Sequence, residues 1–383
     1  MATILTEIGE LVTFDPERDE DYGIIGDAAI EFEDGIVTWI GTSKEAALRD
    51  AESRFELAGR AIVPAFVDSH THLIFAGDRS VEFASRMSGV AYSAGGIRTT
   101  VEATRQASDD ELRELIAGRI EEARSQGTAT LEIKTGYGLT VEQEARLARI
   151  ANEFTDEVTF LGAHIVPAEY EGNSDAYVDL VCGEMLDSVA PYIKWIDVFC
   201  ETGAFTVEQS ERIMRAGIER GLGAKIHAAQ LQESDSVEMA VELGAVSIDH
   251  GTYLKESDVF ALAASETILT FLPGADFSTK QPYPNARRLL DAGVTVALAS
   301  NCNPGSSNTT SLAFCIALAV REMGMTPTEA LWSATAGGGL ALNRPDLGVI
   351  RVGNPAKLLE LNAPNHLHIA YRPGVNLARK IWD

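Results

Sequence analysis

Ala61-Ile62-Val63-Pro64-Ala65-Phe66-Val67-Asp68-Ser69-His70-Thr71-His72-Leu73 is an apolar run that closes on two histidines separated by one residue. Along an extended strand, residues i and i+2 face the same way, so His70 and His72 present two imidazoles side by side, as a pair of metal ligands would. The run before them is too apolar for a wet surface, which places the pair at the end of a buried strand. Two histidines at a solvated strand end would look the same in isolation. The reading therefore turns on whether the rest of the chain supplies further ligands.

Outward from this stretch, short apolar runs alternate with amphipathic helical patterns. Strands are expected at 62–68, 128–134, 158–164, 193–199, 223–227, 246–250, 268–272 and 295–300, with helices between them such as 99–126, 140–154, 207–220 and 234–243. Nearly continuous apolar strands separated by helices indicate a parallel sheet covered on both faces, and this number of them suggests an α/β fold, a closed (β/α)8 TIM-like barrel. Residues before about 60 read instead as short strands at 3–13, 28–32 and 36–40, the last two joined by Asp34-Gly35, a hairpin signal. After two helical patterns at 311–321 and 327–336, strand-like sequence returns at 348–351 and 357–361. The expected organisation is a composite β-sandwich side domain, built from 1–60 and 345–383, beside a (β/α)8 barrel over 61–344.

Bulk properties narrow the function. The 383 residues carry 57 acidic against 31 basic side chains, a net charge of −26 that repels nucleic acid and anionic membranes. No apolar run approaches the roughly 20 residues needed to cross a bilayer. The first twelve residues hold two glutamates and no basic residue, unlike a secretory or mitochondrial leader, and the four cysteines show no Cys-x-x-Cys spacing, so a reducing cytoplasm is the expected setting.

Barrel chemistry sits at the C-terminal ends of the strands. Those ends carry His70 and His72, then Lys134 to Tyr137, His164, His227, His250 and Asn301, so that five of the seven histidines of the chain fall at such positions. That density favours a metal site. Arg79 offers a planar fork suited to a carboxylate, with an ion pair to Asp78 or Glu82 as its structural alternative. The Gly136-Tyr137-Gly138 turn lets backbone approach a ligand, and Asn303-Pro304-Gly305-Ser306-Ser307 is either a second binding turn or a helix-capping loop.

The order His70-Thr71-His72-Leu73, Phe75-Ala76-Gly77-Asp78-Arg79, Glu132-Ile133-Lys134-Thr135-Gly136-Tyr137-Gly138-Leu139, Phe160-Leu161-Gly162-Ala163-His164, Lys225-Ile226-His227-Ala228 and Asn301-Cys302-Asn303-Pro304-Gly305-Ser306-Ser307 resembles the amidohydrolase superfamily and, within it, the imidazolonepropionases. The resemblance covers almost the whole chain. It implies hydrolysis of the cyclic amide of 4-imidazolone-5-propanoate to N-formimidoyl-L-glutamate in histidine degradation, with one divalent metal ion, Zn or Fe. It makes His70, His72, His227 and Asn301 the metal ligands, and gives His250, Gln230 and Asn301 catalytic roles. Arg79, Tyr92, Tyr137, His164, Gln230, Asn303, Gly305 and Ser306 become the substrate contacts. A homodimer is also implied, since the family commonly forms one.

The chain departs from that pattern at several positions. Asn301 stands where the superfamily carries an aspartate that acts as a base, and an amide cannot take a proton near neutral pH. The segment from Tyr92 to Ile97 is shorter than its counterpart. No acidic residue follows His227 in His227-Ala228-Ala229-Gln230, and Lys357 replaces a usual aspartate. Two further readings therefore stand beside the first: a catalytically silent barrel that binds the ligand, and a sister amidohydrolase or deaminase acting on another nitrogen heterocycle.

Overall fold

The computed structural model describes residues 2–18, 22–89 and 96–383, which form two compact units. One takes its described residues from 1–69, 122–130 and 311–383, the other from 70–121 and 131–310.

In the first unit the strands β1 (Thr3–Val12), β2 (Ile24–Glu33), β3 (Ile36–Thr42), β4 (Ser53–Glu56) and β5 (Ile62–Pro64) join β15 (Leu358–Leu361) and β16 (Ala378–Trp382) in one sheet. Its order is β16-β15-β5-β1-β2-β3, with β4 against β1, so both ends of the chain contribute to it. The hairpin between β2 and β3 turns through Asp34 and Gly35 at φ 49° and 75°, the left-handed pair that a type I′ turn requires. Leu5, Ile8, Leu11, Ile30, Val37 and Leu358 form its fully buried core. The stretch expected as one strand at 62–68 divides here. Pro64 has no N–H to continue a ladder, so β5 pairs with β15 and β1 while β6 (Phe66–Asp68) pairs with β7 (Thr128–Leu131).

In the second unit β8 (Ile133–Lys134), β9 (Val158–Ala163), β10 (Trp195–Cys200), β11 (Gly223–Ala228), β12 (Ser247–His250), β13 (Ile268–Phe271) and β14 (Val296–Leu298) lie side by side in chain order, all parallel. Helices such as Val141–Asn152 and Val207–Ile218 connect them, the first capped by Thr140 and the second by a Thr206–Gln209 capping box. Residues 70–72 close the ring. Lys134 N–H donates to the Thr71 carbonyl (2.8 Å) on one side, while Asn301 N–H donates to His70 (3.0 Å) and His72 N–H to Cys302 (3.0 Å) on the other. The architecture is a TIM-like (β/α)8 barrel with a β-rich side sheet.

Two local expectations change. The helix expected over 99–126 is two helices, Ile97–Gln106 and Asp109–Ser125, because Ala107 is extended and the Ser108 hydroxyl accepts Glu111 N–H (3.2 Å), starting a new helix. The strand expected at 348–351 does not form: Gly348 sits at φ 69°, and Ile350 makes a single link to the Thr13 carbonyl. Among the described residues no helix is long and apolar enough to cross a membrane.

Candidate active site

Strand ends bring three imidazoles together. One nitrogen from each of His70, His72 and His227 lies within 4.8 Å of the other two, and all three residues are buried. The Nε2 atoms of His70 and His72 face each other at 3.3 Å. The outer nitrogens are held from behind: His70 Nδ1 lies 2.5 Å from Asp249 Oδ2, and His227 Nδ1 lies 3.0 Å from Asp197 Oδ1. An imidazole that donates its Nδ1–H to a carboxylate presents a bare Nε2 lone pair, the form that binds a cation. Burial, reinforced by Lys134, holds His70 well below the usual imidazole range, and burial with His164 does the same to His72.

Asn301 and His227 leave two buried polar atoms for a cation to satisfy. His227 Nε2 and Asn301 Oδ1 are buried with no hydrogen-bond partner, a costly arrangement unless something else satisfies them. Asn301 sits at φ 53°, a left-handed conformation that asparagine tolerates better than most residues. Its Nδ2 donates to Ser306 Oγ (3.3 Å), which fixes Oδ1 as the open side. Three neutral imidazoles and an amide oxygen form a donor set suited to one divalent cation.

Behind the imidazoles lies a sealed charge cluster. Glu132, Lys134, Asp197, Lys225 and Asp249 are all essentially inaccessible to solvent. Lys134 Nζ lies 2.8 Å from Glu132 Oε1, 2.8 Å from Asp197 Oδ2 and 3.7 Å from Asp249 Oδ2. Burial works against the Lys134 charge, but Asp197 and Glu132 outweigh it and raise the ammonium above its ordinary range. Asp197 is held low because His227 and Lys134 overcome its own burial, whereas burial pushes Asp249 up against the pull of Lys134 and Lys225.

The cleft above is lined by His72, Arg79, Tyr137, His164, His227, Gln230, His250, Asn301, Asn303, Gly305 and Ser306 among others, and none of the described residues that line it is acidic. Of the two readings of Arg79, the structure shows the ion pair, with Glu82. Arg79 lines the cleft, and its Nε and Nη2 pair with Glu82 at 2.8 and 2.7 Å. His164 stacks on His72 with ring centroids 5.4 Å apart, and its Nδ1 sits 3.1 Å from the Gly136 carbonyl. Burial, with the neighbouring His227, pushes His164 down to about 3, so it is neutral and its Nε2 is an acceptor. Gly136 is obligatory: at φ 109°, a Cβ there would lie 2.7 Å from the Leu161 carbonyl oxygen. The buried Glu144 carboxylate ties down the same turn by accepting the N–H groups of Gly136, Gly138 and Leu139 at 3.1, 2.7 and 2.8 Å.

The comparisons with known proteins agree on the family. Residues 61–373 match the model of the amidohydrolase family. The chain is 56% identical over 380 residues to an imidazolonepropionase of Salinispora tropica, covering 99% of this chain and 96% of that protein. It is equally similar, at 56% over 383 residues, to an imidazolonepropionase of Mycolicibacterium smegmatis, with 100% and 96% covered. The chain belongs to the imidazolonepropionase family of amidohydrolases. Among solved structures, an adenosine deaminase from Xanthomonas campestris with bound zinc superposes with a TM-score of 0.72 at 17% identity, covering 99% of this chain and 91% of that one. A triazine hydrolase variant does so at 0.77 and 16%, covering 100% and 93%. At such identities these two bear on the fold alone.

Of the residues singled out in the sequence of this imidazolonepropionase relative, His70, His72, His164, His227, His250, Gln230, Arg79, Tyr137, Asn301, Asn303, Gly305 and Ser306 are brought together. Tyr92 lies outside the described residues. Asn303 serves its own turn: Oδ1 accepts Gly305 and Ser306 N–H at 2.8 Å each, and Nδ2 donates to the Asn301 carbonyl at 2.7 Å, so those amides are committed within the loop. Asp197 and Asp249, which hold Nδ1 of His227 and of His70, and Glu201, which accepts Gln230 N–H at 2.6 Å, were not singled out. Their signal was present as acidic residues inside otherwise apolar strands, or at the end of one.

Proposed function

We propose that this chain hydrolyses the ring amide of 4-imidazolone-5-propanoate, giving N-formimidoyl-L-glutamate, with one divalent cation, Zn or Fe, held by His70, His72, His227 and Asn301 Oδ1. Bound there, the cation supplies a Lewis acid that polarises the amide carbonyl and acidifies water. The observation that carries the reading is the meeting of three imidazole nitrogens, two of them backed by carboxylates, under an arginine-lined cleft.

Each side chain then has a task. Arg79 keeps Nη1 for the propanoate carboxylate, because Glu82 occupies its Nε and Nη2. Nη1 is reachable because residue 305 is glycine; a Cβ there would lie 2.4 Å from it. His164 accepts a ring N–H at Nε2, and Tyr137 closes the wall beside it at 5.4 Å. With Asn301 unable to act as a base, the neutral imidazole of His250, kept well below its usual range by burial and His227, takes the proton lost by the attacking water. The water oxygen bonds to the carbonyl carbon, the C–N bond breaks, and the same proton passes to the departing nitrogen. Gln230 orients the water or the substrate.

Around this site we place a hydrolase barrel over 61–344 and a side domain from 1–60 and 345–383, the whole acting in the cytoplasm as a homodimer. The test is turnover of imidazolone propanoate by purified protein, followed by product analysis and abolished by chelation. Full occupancy by one cation without product would contradict it. An amide at 301, where a base would stand, and a cleft with no carboxylate among the described residues that line it favour a second reading, a binding protein without turnover, which ligand affinity without product would establish.

A further inference from the structure

Two of the three imidazoles depend on one buried ammonium. Asp197 reaches His227 through Oδ1 (3.0 Å) and Lys134 through Oδ2 (2.8 Å). Asp249 meets His70 at 2.5 Å and Lys134 at 3.7 Å through the same oxygen, Oδ2. His227, Asp197, Lys134, Asp249 and His70 are thus one continuous chain of contacts, with Lys134 at its centre and every member buried. Nothing in the reaction itself requires a lysine at this position.

We propose that Lys134 is a positioning residue of the cation cage, bridging Asp197 and Asp249 so that both carboxylates face outward nitrogens and both His70 and His227 present Nε2 to the same point. The proposal rests on the metal reading above. Glu132, Asp197 and Asp249 are three carboxylates in one sealed volume, and without a central cation they would repel one another and turn apart. With the ammonium between them, each can accept an Nδ1–H. An imidazole whose Nδ1 is not engaged is free to carry its proton on Nε2, where it blocks cation binding. Lys134 therefore couples two ligands from different strands. Lys225, the other buried ammonium of the cluster, lies 3.9 Å from Glu132 and over the Trp195 ring at 4.9 Å; its charge also reaches Asp249 and Asp197, so its loss is the comparison that separates bulk charge from the bridge Lys134 makes.

The experiment is long-range proton–nitrogen correlation NMR on full-length protein with nitrogen-15 histidine, stripped of metal, together with cobalt(II) titration followed by visible absorption. In the wild type, His70 and His227, assigned by single substitution, should both show Nδ1–H and unprotonated Nε2 before any cation is added. Lys134→Met should disturb that tautomer in at least one ring, weaken cobalt(II) binding 10–100-fold and alter its absorption. Lys134→Arg, which keeps the charge, should restore the tautomer, and Lys225→Met, which removes the same charge without removing the bridge, should disturb it less than Lys134→Met does. Wild-type tautomers and cobalt(II) affinity within twofold in Lys134→Met would overturn the proposal. So would Nε2–H at either ring in the metal-free wild type, a result that needs no variant and decides the matter even if Lys134→Met does not fold. Failure of the wild type to bind cobalt(II) at all would instead overturn the metal reading, leaving the tautomer result to stand by itself.

Discussion

At residue scale the chemistry turns on Asn301, a buried amide whose Oδ1 has no partner and whose Nδ2 is directed by Ser306. Asn301→Asp adds the one carboxylate the cleft lacks. It should raise kcat by roughly 10²–10³-fold and tighten cation binding, as steady-state kinetics and metal titration would show. An unchanged kcat would mean that His250 already carries the proton at full efficiency. Arg79→Ala should raise KM by roughly 10–100-fold, the equivalent of about 1.5–3 kcal/mol for a charge-assisted bond, with kcat far less affected. An unchanged KM would favour a substrate without the propanoate arm. The histidines of the site were legible in the sequence because strand alternation and strand ends place them without further information. Lys134 was legible only as a strand-end residue, and Asp197 and Asp249 not at all, because their partners come from neighbouring strands, and only the closed ring shows which carboxylate stands behind which imidazole.

Among the elements, the turn 136–139 is tightly constrained. Gly136→Ala places a Cβ 2.7 Å from the Leu161 carbonyl oxygen and 2.9 Å from His164 Nδ1, at a φ of 109°. It should cost about 1–3 kcal/mol in stability and raise KM by displacing Tyr137 and His164, measurable by thermal unfolding and kinetics. Unchanged Tm and KM would show that the turn bears no such constraint. Most strands were readable from apolar runs of the right length between helical patterns. The breaks were harder: Pro64 ends β5 because it lacks a donor, and Ser108 restarts a helix by accepting a backbone N–H, both local events inside segments whose periodicity continues unbroken.

For the whole molecule, charge and protonation set the working range. A net charge of −26 makes self-repulsion a standing cost, so raising ionic strength from about 0.1 to 1 M, which shortens the screening length from about 10 to 3 Å, should raise Tm. A fall in Tm would contradict that view. Acid should destabilise through His164, whose folded value near 3 lies below an unfolded value of about 6.5. The native state then binds fewer protons than the unfolded one. The stabilisation is complete above about pH 6.5 and drains as pH falls toward 3, and His164→Gln should flatten that slope in denaturation curves. The central claim concerns one cation. A crystal structure of metal-loaded protein with anomalous scattering collected at the metal edge tests it most directly. A single peak about 2.0–2.2 Å from Nε2 of His70, His72 and His227 is the expected result. A cation bound elsewhere, or His227 turned away from the other two in the loaded protein, would contradict the account.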